Sequence, residues 1–166
     1  MRGMLFCEVI AMMWTQKEAA LLEDLKSQEK LCVEKYGKYA AQAADPQLRQ
    51  LFTQIQQAEQ QHEQTVTAML NGQIPQLPAA AQQSASAGQM NQQPAYKAQP
   101  TPEKQADAYL CQDALGTEKH VSSVYDVSIF EFASPKARQV LNHLQAEEQQ
   151  HGEMIYAYMA KNGMYA

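Results

Sequence analysis

The sequence predicts an all-α fold: a four-helix bundle made of two duplicated helical hairpins joined by a long crossover linker. Three observations carry this. Proline and small polar residues cut the chain into four long helix-forming segments. The two halves superpose on a shift of 89 residues, which brings Glu29 onto Glu118. Each segment carries an apolar stripe in steps of three and four, the spacing of one helix face.

The composition agrees. The chain has 166 residues, 45% of them hydrophobic, a length that suits one domain of about 100–150 residues or slightly more. Ala is the commonest apolar residue and Met is plentiful, while Val, Ile and Phe are scarce, so a large sheet is not expected. A net charge of −5 with no basic stripe argues against a nucleic-acid partner. A mean hydropathy of −0.50 excludes a polytopic membrane protein. Cys7, Cys32 and Cys111 form no CxxC pair, so they read as reduced, partly buried thiols and not as a zinc or rubredoxin-type site.

Residues 1–13 read as an N-terminal extension. Its apolar run, residues 4–14, is interrupted by Glu8 and is too short for a span of about 20 residues. A signal peptide is one reading, with a single Arg in front and no cleavage pattern. A translation start at Met12 or Met13 is the other, favoured because Thr15 and Glu18 form a capping box just beyond. Residues 14–72 make the first hairpin. Its first helix runs from Gln16 to Ala43, and its second opens at Asp45-Pro46, as N-cap and first helical residue, and ends at Gly72. Residues 73–101, rich in Gln, Ala and Pro, have no usable period and form the crossover linker. Residues 102–166 make the second hairpin, whose helices open at Thr101-Pro102-Glu103 and Ser134-Pro135; the last ends at Gly163. The two hairpins form one domain.

The internal shift aligns Glu29-Lys30 with Glu118-Lys119, Tyr36 with Tyr125, Asp45-Pro46 with Ser134-Pro135 and Arg49 with Arg138. It also aligns Glu59-Gln60-Gln61-His62 with Glu148-Gln149-Gln150-His151, while most other positions differ. Two such hairpins with one long connection make a four-helix bundle.

The core-facing stripes are interrupted at mid-length by ionisable groups. The first reads Leu22, Leu25, Glu29, Cys32, Tyr36, Tyr39, Ala43, and the second Leu48, Phe52, Ile55, Glu59, His62, Val66, Met69. The third reads Cys111, Ala114, Glu118, Val121, Tyr125, Ser128, Phe132, and the fourth Ala137, Leu141, Leu144, Glu148, His151, Ile155, Tyr158. Glu59 with His62, and Glu148 with His151, are three apart and share a helix face. Four carboxylates and two imidazoles should therefore meet in one interior layer. Bare burial of a carboxylate costs several kcal/mol. Either two divalent cations offset the charge, or some carboxyls stay protonated beside histidine or tyrosine. The ligand set suits two iron ions, or alternatively two manganese ions. Tyr36 and Tyr125 lie two turns after the lone glutamates, where a phenol can hydrogen-bond a ligand carboxylate of a facing helix. The competing interpretation is a metal-free polar layer. His120, His143, Lys30 and Lys119 are expected to face solvent, and the proline corners to be caps without chemistry.

With these residues in hand, the chain resembles the Coat F family of bacterial spore coat proteins, placed in the ferritin-like superfamily. The resemblance covers about residues 13–72 and 103–165. It rests on Ala44-Asp45-Pro46-Gln47-Leu48-Arg49, on Ala133-Ser134-Pro135-Lys136-Ala137-Arg138, and on the ending Tyr156-Ala157-Tyr158-Met159-Ala160-Lys161-Asn162-Gly163-Met164-Tyr165, where Met164 stands in place of a frequent Trp. It implies a protein made during sporulation in a Firmicute and placed in the spore coat or the sporulating-cell cytoplasm. Its partners would be other coat proteins or further copies of itself. The intact ligand set is also similar to that of rubrerythrin-type di-iron proteins. That likeness implies Glu29, Glu59, His62, Glu118, Glu148 and His151 as metal ligands, with Tyr36 and Tyr125 behind them. It would give a peroxide- or oxygen-reactive oxidoreductase dependent on an outside electron donor, since no rubredoxin-type half is present. Iron storage would need a hollow shell, for which the sequence has no signal.

Overall fold

The computed structural model describes residues 13–77 and 93–165. Among the described residues four helices run in order: α1 (Gln16–Gln42), α2 (Pro46–Leu70), α3 (Pro102–Glu131) and α4 (Pro135–Lys161). No strand occurs among the described residues. The expectations for residues 1–12 and for most of the linker lie outside them.

Each start follows from a local cap. Thr15 and Glu18 make the reciprocal capping box: the Thr15 side chain accepts from Glu18 N, and the Glu18 carboxylate accepts from Thr15 N. Asp45, Thr101 and Ser134 cap the other three, each followed by proline in the first turn. Gly72 (φ 80°) and Gly163 (φ 60°) follow α2 and α4 in the left-handed region, where a Cβ is disfavoured.

α1 packs on α2 and α3 on α4, as two hairpins, and α1 then meets α3 while α2 meets α4. Ion pairs fix the direction. Lys17 binds Glu131 and Lys35 binds Asp113, so α1 and α3 are antiparallel. α3 therefore runs parallel to α2, so the end of α2 and the start of α3 lie at opposite ends of the bundle. Helices of 25–30 residues are about 40 Å long, well within reach of a linker at ~3.3 Å per residue. The end of the linker is tied down where Asn162 Oδ1 accepts from Ala95 N and Tyr96 N.

The duplication is visible as a pseudo-twofold set of hydrogen bonds, the members of each pair related by the shift of 89 residues. Glu18 accepts from Ala133 N, and Asp107 accepts from Ala44 N. Arg49 donates to Ala43 O, and Arg138 to Phe132 O. Gln56 donates to Val33 O, and Gln145 to Ser122 O. The acidic residue early in the first helix of each hairpin thus ties down the corner of the other hairpin. Every stripe residue read from the sequence is buried except Tyr39, which is half-buried and donates to Asp113. Trp14 closes one end of the core, donating Nε1–H to Met69 O and meeting Phe132 edge-on at 5.4 Å. Cys32 and Cys111 are free and fully buried, more so than the expected partial burial.

Candidate metal centre

The mid-length residues of the four stripes converge. Glu29, Glu59, Glu118 and Glu148 are at most 3% exposed, and His62 and His151 at most 4%. They form two overlapping groups, in each of which one ligand atom per residue lies within 4.8 Å of all the others. One group is Glu29, Glu59, His62 and Glu148; the other is Glu59, Glu118, Glu148 and His151. Glu59 and Glu148 belong to both groups.

The geometry repeats across the pseudo-twofold. His62 Nδ1 lies 2.9 Å from Glu148 and 3.6 Å from Glu29; His151 Nδ1 lies 3.1 Å from Glu59 and 3.6 Å from Glu118. The two imidazoles stack at 5.5 Å between centroids. Tyr36 OH donates to Glu118, and Tyr125 OH donates to Glu29, each from a facing helix. Tyr36 and Tyr125 are pushed well above the ordinary phenol range, by burial first and by the neighbouring carboxylates second.

These partners do not satisfy the layer. One oxygen of each glutamate (Oε2 of Glu29, Glu59, Glu118 and Glu148) is buried with no hydrogen-bond partner. Such orphaned acceptors are costly and few in native interiors. Four in one layer, flanked by two imidazole nitrogens, form a donor set of hard and borderline atoms that fits two divalent cations.

Without cations the layer neutralises itself. Burial pushes Glu29 and Glu118 up to about 8, against the pull of His62 on the first and His151 on the second. For Glu59 and Glu148 burial also works upward, but hydrogen bonds from both imidazoles outweigh it and hold them below their usual range. Burial disfavours charged His62 and His151, yet the surrounding carboxylates overcome it and keep both well above the imidazole range. Cys32 sits next to the layer as a neutral thiol, raised by burial and then by all four glutamates.

Two features escape the sequence pattern. Glu147 Oε2 lies 3.0 Å from His62 Nε2, and no repeat marks it, because the shift aligns it with Ala58. His143, expected in solvent, is half-buried with Nε2 3.4 Å from Glu147. The shift does align Glu18 with Asp107, so that pair was available as a signal. His120, Lys30 and Lys119 are exposed as expected.

The family model of the Coat F domain matches residues 17–73 and 106–166, covering both hairpins. The chain belongs to the Coat F family. Coat F membership implies a spore coat protein, and no helix among the described residues is long and apolar enough to cross a membrane. No curated protein and no solved structure gives a significant match to this Coat F chain.

Proposed function

We propose that this Coat F protein is a spore coat or coat-associated component that holds two divalent transition-metal ions, iron or alternatively manganese, in its bundle core. The observation that carries this is the set of four buried glutamate oxygens that accept no hydrogen bond, arranged in two overlapping ligand groups. Glu29 and His62 would serve one ion, Glu118 and His151 the other, and Glu59 and Glu148 both. Tyr36 and Tyr125 hold the two outer carboxylates in place by hydrogen bonds, which orients ligands before a cation arrives. Its partners would be other coat proteins or further copies of the chain, in the coat or in the sporulating cell.

Elemental analysis of untagged protein tests the site. Two metals per chain are expected, with His62→Ala and Glu148→Ala each lowering the content; unchanged content in both variants refutes the assignment.

The bonds from Tyr36 and Tyr125 to the outer carboxylates favour a second reading, a rubrerythrin-like oxidoreductase acting on peroxide or oxygen. A pair of reduced metals supplies the two electrons that one peroxide requires. The chain contributes an apolar wall that excludes water, and phenols that hold the carboxylates as their charge environment changes. Peroxide consumption by the iron-loaded protein supports this reading; metal-loaded protein inert to peroxide and oxygen leaves the coat role alone.

A further inference from the structure

The hairpins are copies, but the wall around the cluster is not symmetric. His62 turns Nδ1 toward the buried glutamates and Nε2 toward Glu147, 3.0 Å away. Glu147 is 35% exposed and reaches on to His143 Nε2 at 3.4 Å. Across the pseudo-twofold, His62 corresponds to His151, Glu147 to Ala58 and His143 to Gln54. A methyl group accepts no hydrogen bond, so His151 has no counterpart of the Glu147 carboxylate.

This difference bears on cation affinity. An imidazole that ligates through Nδ1 carries its proton on Nε2. A carboxylate at that nitrogen fixes the tautomer and ring orientation and makes the ligating nitrogen more basic; such support is worth about 10–100-fold in metal affinity. Glu147 also brings a fifth carboxylate to one end of the layer only. We infer that Glu147 is a positioning residue that makes the two cation positions unequal. The one built on Glu29, Glu59, His62 and Glu148 is the tighter and fills first; the one built on Glu59, Glu118, Glu148 and His151 fills second. This rests on the two-cation reading above and adds an order to it.

The test is a titration of the chelator-stripped full chain with Mn2+, following free Mn2+ by its EPR signal, with helicity of every variant checked by circular dichroism. Wild-type protein should bind two Mn2+ in separable steps, the first about tenfold or more tighter. Glu147→Ala should weaken the first step about 10–100-fold and leave the second. Glu147→Gln, whose amide oxygen can still accept from Nε2, should recover part of the loss. Ala58→Glu should tighten the second step. Two equal steps in wild type, or a first step unmoved in Glu147→Ala, overturn this inference while the two-cation reading stands. Wild-type protein that binds fewer than two Mn2+ overturns both.

Discussion

Loading the metal-free cluster with two divalent cations at pH 7 should expel about four protons per chain. The number follows from the charge states of the layer. Glu29 and Glu118, raised to about 8 by burial, are mostly protonated at pH 7. His62 and His151 are held charged by the carboxylates around them. Glu59 and Glu148 are already ionised. Ligation needs four carboxylates and two neutral imidazoles, so about one proton leaves each of the four protonated groups. The same six residues in water, with ordinary glutamate and histidine behaviour, would release roughly half a proton in total. The assay is calorimetric titration in buffers of different ionisation enthalpy, whose slope gives the proton count directly. The combined affinity for the two cations should accordingly rise about four decades per pH unit near neutrality, and more slowly above about pH 8. A release below about one proton would refute the picture of a buried, self-neutralised layer.

The metal-free protein should lose stability as pH rises from about 5 to 8, because its raised carboxyls and imidazoles bind more protons folded than unfolded; thermal melts of chelated protein across that window check the sign. Tyr125→Phe removes the donor to Glu29 and leaves a further buried oxygen unpaired, which should cost about 1–3 kcal/mol in denaturant unfolding of the metal-free form. Trp14→Ala opens a cavity against Phe132 and removes the bond to Met69 O, with an expected loss of about 3–5 kcal/mol; a loss under about 1 kcal/mol would mean that Trp14 does not close the core.

The helices were legible because their boundaries are written locally. Thr15, Asp45, Thr101 and Ser134 cap within their own first turn, and Gly72 and Gly163 supply the backbone conformation that ends α2 and α4. The inward layer was legible because a helix repeats every 3.6 residues, so Glu59 and His62 must share the face that Phe52 and Val66 bury. Contacts between elements were less readable. Glu18 announces itself as half of a capping box, yet its other oxygen accepts from Ala133 N in the opposite hairpin. Periodicity says nothing about such a bond; only the alignment of Glu18 with Asp107 hints at it. Glu147 has neither stripe nor repeat to mark it, since it flanks the inward face and its mate is Ala58. It meets His62 across the α2–α4 contact and His143 one turn away on its own helix.

Anomalous X-ray diffraction from crystals of the protein loaded with Fe2+ or Mn2+ tests the central claim most directly. Two anomalous peaks should lie inside the ring of Glu29, Glu59, His62, Glu118, Glu148 and His151. Peaks only at surface carboxylates, or an interior layer that stays free of metal at saturating concentration, would contradict it.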